Sequence, residues 1–451
     1  MILRDRLGLL AAVVPSVVLV ASSSAYAADG VITGQVRNAA TKAPIPDVVI
    51  TVTSPALQGE QIVVTDAGGN FRVPQIPPGE GYAVSADGGG QYKPSSRGGI
   101  KLTSGSTVRV NIELLPENAG VIEQVVEARA PVVDVGSSRI ATTVDQELTR
   151  RLAVNAPSGK GGASRSFESL AQIAPGANSD QYGTSVNGTT SPENAFIIDG
   201  VSANDPAFGV NAVPLSAEFV KEVNIITAGY LPEYGRSIGG VMDVVTQTGS
   251  NEFHGSVFGS ITPGAFEGTR AQVAREGTVI QTNPSLGAIR DFGFSIGGPI
   301  LKDKLWFFAG FQVALTRMNL TRTLNKLEFN TDPMTGAPTT PIVDEKTGFQ
   351  KTTELDGSRQ VFYADQQTTQ YIGKLTWNIN QDHKIDLTVF GAPSTSGGNG
   401  TYDIDAQDGG VPGNLIGQYK SLALTSTAFN NSVVVKSSSA FMNKKFLVDA
   451  T

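Results

Sequence analysis

The chain has 451 residues, 40% of them apolar and only 17% charged, which is too apolar for a disordered chain and well below the roughly 25% charge of a typical soluble protein. It contains no cysteine and only two histidines, His254 and His383, so disulfides, thiolate chemistry, cysteine-based metal sites and a three-histidine metal centre are all excluded. A formal net charge of −7 leaves no basic footprint for nucleic acid, and the length suggests several domains at about 100 to 200 residues each.

The first 27 residues carry the three parts of a secretory signal. These are Arg4 and Arg6, an apolar stretch from Leu7 to Ala21, and the small-residue site Ala25-Tyr26-Ala27, with cleavage expected before Ala28. Pro15 interrupts the apolar stretch, which falls short of the about 20 residues a spanning helix needs. No later stretch is long and apolar enough for such a helix, so any membrane insertion by the exported chain must use strands.

Residues 28–117 read as short strands with turn punctuation: Val31 to Arg37, Val48 to Thr53, Ile62 to Thr65, Phe71 to Val73, Tyr82 to Ser85 and Val108 to Leu114, broken by Gly68-Gly69-Asn70 and by Pro77-Pro78-Gly79. This spacing predicts a small β-sandwich. Gly34 with Val36, Pro44 with Ile45, the run Thr65 to Phe71, and Pro78-Gly79 ahead of Tyr82 resemble the carboxypeptidase-regulatory-like domain. The resemblance implies a transthyretin-like sandwich related to carbohydrate-binding folds, and leaves its role open.

The segment 118–131 contains Ile122, Glu123, Gln124, Val125, Val126, Glu127 and Ala128, followed by Pro131. By itself this is a linker or a last strand. Lying between two domains, it resembles a TonB box, a peptide captured by strand addition, in which main-chain bonds give affinity and alternate side chains give selectivity. Pro131 would end that strand.

Residues 132–250 form a glycine-rich α+β unit with apolar strands predicted at Ala195 to Val201, Glu218 to Ile226 and Val241 to Thr246. The runs F-I-I-D-G-V with Asp199 and Gly200, V-K-E-V-N-I-I-T-A-G-Y, and E-Y-G-R-S-I-G-G with Tyr234, Gly235, Arg236, Gly239 and Gly240 resemble the plug domain of TonB-dependent outer-membrane receptors, and the domain order resembles their Oar-like branch. This implies an energised transporter whose TonB-type transducer, driven by the inner-membrane proton gradient, pulls on the box to displace the plug. The loop Asn204 to Phe208 is a weaker expectation for substrate contact.

From Asn251 onward long strands alternate. Leu305, Phe307, Ala309, Phe311, Val313 and Leu315 share one face; Leu375, Trp377 and Ile379 alternate with Lys374, Thr376 and Asn378; Ile385, Leu387 and Val389 alternate with Lys384, Asp386 and Thr388. Soluble half-buried sheets alternate too. Short turns at Leu301–Lys304, Asn380–His383 and Asn443–Lys445, set against long gaps at 263–287, 319–368 and 393–431, predict an outer-membrane barrel in outer-membrane lipid. Six strands and the start of a seventh at Phe446 are expected. At roughly 25 to 30 residues per strand no more than eight fit, whereas a plugged transporter uses about 22, so the expectation is an incomplete barrel in an amino-terminal fragment or a truncated gene.

Ser237 and Ser295 match G-x-S-x-G but lack the strand-to-helix context of a nucleophile elbow. Asp403, Asp405 and Asp408 depart from calcium-loop spacing, Gly159-Lys160-Gly161 lacks the phosphate-loop pattern, and the histidines stand at strand starts. The expectation is a mostly β, non-enzymatic receptor with no catalytic residue, metal or cofactor, taking up a siderophore, oligosaccharide or peptide; the alternative is a non-transporting binding or adhesion protein that uses its amino-terminal sandwich.

Overall fold

The computed structural model describes residues 29–57, 59–117, 139–152, 166–230, 234–235, 237–268, 278–380, 382–398, 400–405, 409–413, 415, 425–442 and 446–451. The leader, the 122–128 peptide with Pro131, Gly159-Lys160-Gly161, Arg236, Asp408 and the 443–445 turn lie outside these residues.

In the first unit, β1 (Gly30–Asn38) is the hub of one sheet. It pairs antiparallel with β4 (Asn70–Ile76) and parallel with both β7 (Thr107–Arg109) and β8 (Ile112–Leu114). A second sheet runs β3-β2-β5-β6 through β2 (Val49–Thr53), β3 (Gln61–Val64), β5 (Gly79–Asp87) and β6 (Ser95–Leu102). Alternate residues of both sheets, among them Ile32, Val36, Ile50, Val52, Val84, Val108 and Leu114, close over one buried core. The single strand expected at Val108 to Leu114 is two. Val110 passes opposite Gly34, where a Cβ would stand 1.8 Å from the Val110 carbonyl oxygen, so the ladder breaks there and resumes in the same register. Strand β6 was not foreseen because its Ser-Ser-Arg-Gly-Gly stretch carries no apolar period.

The central unit is a five-stranded sheet ordered β13-β12-β15-β14-β9, built from β9 (Ile140–Asp145), β12 (Ala195–Ile198), β13 (Val201–Ser202), β14 (Val220–Ala228) and β15 (Val241–Thr246). Helices α1 (Gln146–Arg151) and α2 (Phe167–Leu170) and the hairpin β10 (Ala177–Asp180) to β11 (Gly183–Val186) flank it. Strand β14 begins two residues later than expected, because Ala217–Phe219 forms a 3-10 turn capped by the Ser216 hydroxyl. The apolar run at Ala195 to Val201 is likewise a hairpin rather than one strand. Ile198 pairs with Val201 across Asp199 (φ +48°) and Gly200 (φ +88°), the two-residue Asp-Gly turn whose twist suits adjacent strands.

The third unit is a continuous antiparallel sheet, β16-β17-β18-β22-β23-β26-β27. Its strands are β16 (His254–Pro263), β17 (Ile280–Leu301), β18 (Leu305–Leu327), β22 (Gln360–Asn380), β23 (His383–Gly391), β26 (Asn431–Phe441) and β27 (Phe446–Ala450). The connections carry β19 (Phe329–Thr331), β20 (Pro338–Pro341), β21 (Thr352–Glu354), β24 (Ser394–Gly397) and β25 (Thr425–Ala428). Among the described residues β16 and β27 do not pair, so the sheet is not closed. Much of the length expected as loop is strand. Ile280 pairs with Leu324 and Arg322 with Gln360, and at 23 residues β18 extends ~75 Å at about 3.3 Å per residue. Leu320 and Ala364 are buried in these distal halves with Met318 and Phe362 packed against them, but the apolar positions are too sparse there to read as a strict alternation.

Candidate functional site

The third unit is built inside out. On β22 the polar members Lys374 and Thr376 are 8% and 1% exposed, while Leu375 and Trp377 between them are 41% and 48% exposed. On β18 Gln312 and Thr316 are buried and Phe311 is open. Water would drive the opposite choice at about 25 cal/mol per Å² of apolar surface; an apolar solvent outside and a protein-filled interior reverse it. The buried face looks onto the central unit: Phe308, Ile372, Phe390 and Val434 share one core with Phe196, Ile198, Phe219 and Val244. Phe219 seats on Gly310, where a Cβ would come within 2.5 Å of its ring.

Near the short-turn end of the sheet this contact becomes ionic. Asp199, placed by its hairpin turn, accepts from the Thr246 N–H (2.9 Å) and hydroxyl (2.6 Å). Lys374 Nζ, from the wall, donates to Asp199 Oδ2 and to Thr246 Oγ1, both at 2.9 Å. Burial works to raise the Asp199 carboxyl, but Lys374 and the Thr246 donors outweigh it and hold it below the ordinary carboxylate value. Around this pair lies a cavity of about 70 Å³ whose lining includes Lys221, Lys384, Asp386, Lys436 and Asp29. Lys384 pairs with Asp386 at 3.2 Å and Lys436 with Asp29 at 3.2 Å. Burial pushes the Lys221 ammonium down to about 8.

The motif residues fall into two groups at opposite ends of the parallel pair β12 and β15. Asp199 and Gly200 meet the wall. At the other end Tyr234 is buried with Ala195, Ile226 and Val241, and Gly240 donates to Asn194 Oδ1 at 2.9 Å. A Cβ on Gly239 would lie 2.4 Å from Asn194 Oδ1 and one on Gly240 2.9 Å from Val186, so these glycines serve close packing; Gly235 follows Tyr234. Asn204 spends its side chain on the backbone of Asn194, Phe196 and Gly209, while Phe208 is exposed. Lys374, Lys384, Asp386 and Lys436 were not singled out as site residues. Their signal was the presence of charge on the alternate face next to a short turn.

The other chemical candidates are ordinary structural groups. Ser237 Oγ donates to the Gly240 carbonyl and Ser295 Oγ shares a bond with Ser256 Oγ. His254 opens β16 and stacks on Phe308, and His383 opens β23 beside Phe441. Asp403 accepts from Ser426. Among the described residues no group of acidic and histidine side chains is arranged to hold a metal ion.

Residues 31–115 match the carboxypeptidase regulatory-like domain and residues 245–447 the outer membrane beta barrel domain. The TonB-dependent transporter Oar of Myxococcus xanthus is 52% identical over 433 residues, which are 96% of this chain and 40% of that protein. Among solved structures, the ferric enterobactin receptor of Pseudomonas aeruginosa is similar at 15% identity and a TM-score of 0.40, over 67% of this chain and 39% of that one. The outer membrane transporter YddB of Escherichia coli is similar at 14% identity and a TM-score of 0.37, over 67% and 37%.

An inverted sheet bearing an outer membrane barrel signature defines an outer-membrane β-barrel protein. Within that class the chain is a homologue of the TonB-dependent transporter Oar and spans about two fifths of that relative's length.

Proposed function

We propose that the chain serves TonB-dependent uptake of a scarce extracellular ligand. In this proposal residues 1–27 direct export, 28–117 form a sandwich in the periplasm, 118–131 carry the TonB box, 132–250 are the plug and 251–451 begin the transmembrane barrel. Residues Ile122 to Ala128 dock the transducer by strand addition, and the inner-membrane proton gradient supplies the energy that displaces the plug. The observation that carries this is the seam itself, where the central unit is held to an inside-out wall by the buried Asp199–Lys374 pair and a shared apolar core rather than by shared strands. Such a seam can part and reform without breaking either sheet.

The ligand class is a siderophore, oligosaccharide or peptide, and the plug loop Asn204 to Phe208 is a proposed contact. The test is deletion of residues 122–128, with binding of a purified TonB periplasmic domain followed by calorimetry. Binding should be lost while the barrel still assembles in the outer membrane. Undiminished binding would remove the transducer from the proposal.

A further inference from the structure

The amino-terminal unit does not hang free of the rest. Its turn between β6 and β7 lies on the central sheet: the Ser104 N–H donates to Glu222 Oε1 at 2.7 Å and its hydroxyl to Asp243 Oδ2 at 3.2 Å. Both carboxylates are 5% exposed. Burial is the main cause that pushes the Asp243 carboxyl up to about 7 and the Glu222 carboxyl above its usual value. Beside the turn, Arg139 donates to the Gly105 carbonyl at 2.5 Å and Lys101 pairs with Asp145 at 2.5 Å, so the start of the plug is tied to the same spot. The unit also reaches the wall, through Asp29 to Lys436 at 3.2 Å and Gln75 to Asp449 at 2.9 Å.

We infer that the amino-terminal domain is an intramolecular bolt, docked by its Thr103–Ser106 turn on Glu222 and Asp243 and by Asp29 and Gln75 on the barrel wall, so that it holds the plug to the wall from the short-turn side. Two small carboxylates sunk in a sheet are costly unless they are met by donors. The turn supplies a backbone N–H and a hydroxyl, and two further contacts land on a different body from the plug. The chain leaves this domain at Glu117 and returns at Arg139, on the bolt itself, so the peptide at 122–128 lies within a segment whose return end is anchored there. The inference rests on the transport proposal for its use, because a bolt matters where the plug must move.

The chain's lack of cysteine makes cross-linking clean. In the full chain in outer membranes, Ser104→Cys with Asp243→Cys and, separately, Gln75→Cys with Asp449→Cys should each close at least tenfold more disulfide than a control of Lys42→Cys with Asp243→Cys, Lys42 lying beyond the opposite end of β1. If Asp243→Cys prevents assembly, the Gln75 and Asp449 pair decides. An assembled pair that stays reduced overturns the bolt. The holding role is read by hydrogen exchange in the triple variant Ser104→Ala, Lys101→Ala, Gln75→Ala, which leaves the plug's own residues intact. Amides of β9 should exchange about tenfold faster, and an unchanged rate would reduce the contact to a passive one and overturn the inference. TonB-domain binding that survives deletion of residues 122–128, with the disulfides still closing, would instead sink the transport proposal alone.

Discussion

Breaking the Asp199–Lys374 pair is the sharpest test of how the central unit and the wall are joined. At 2.9 Å two unit charges attract by about 6 kcal/mol at an effective dielectric near 20, much of it offset by the desolvation of both. Removing one partner leaves the other charge buried, so Lys374→Met and Asp199→Asn should each destabilise by roughly 3–5 kcal/mol. Asn is chosen because it tolerates the positive φ of the turn. The double variant removes both charges and should lie well above the sum of the singles, with a coupling energy of ~3 kcal/mol. Urea unfolding in lipid vesicles, followed by tryptophan fluorescence, is well placed to read this. The chain has two tryptophans, Trp377 on the strand of Lys374 and Trp306 on the neighbouring strand, opposite Thr376 in register. Single variants costing under about 1 kcal/mol, or costs that simply add, would refute the claim that this pair couples the central unit to the wall.

Other outcomes follow from the same structure. Gly200→Ala places a Cβ at φ +88° and should cost about 1 kcal/mol in the same unfolding assay, while Gly34→Ala meets the Val110 carbonyl and should cost more. Phe311→Arg, on the open face of β18, should destabilise the inserted sheet by ~2–4 kcal/mol if that face meets lipid; a neutral effect in vesicle-refolding titrations would argue for water there. Asp243, faced by Ser104, Glu222, Arg139 and Asp199, is raised from 3.8 to about 7, so the folded state binds the extra proton. Its contribution is fully present below about pH 4, is lost as pH rises to about 7, and amounts to roughly 4 kcal/mol at most. Asp243→Asn should flatten that part of the stability–pH curve, and an unaltered slope would contradict the assignment. Asp199 has the opposite sign: its stabilisation is held above the ordinary carboxylate value and lost as pH falls through its lowered one.

What could be seen in the sequence was what local rules encode. The period-two faces of β18 and β22 and the short turns after Leu301 and Asn380 depend on neighbours within a few residues, and each is readable by propensity and spacing. Alternation leaves undetermined which face is buried, because the same pattern serves a sheet in water and a sheet in lipid; exposure of Leu375 and Trp377 beside buried Lys374 settles it only once the neighbouring bodies are in place. The distal strands around Arg322 and Gln360 have too few apolar positions for a strict period and were assigned to loops, and their pairing is carried by the backbone and the small cluster of Leu320, Ala364, Met318 and Phe362. Asp199 and Lys374, 175 positions apart, and Ser104 and Asp243, 139 apart, meet because separately folded sheets dock. That docking depends on burial, charge and shape summed over whole surfaces, which no local window contains.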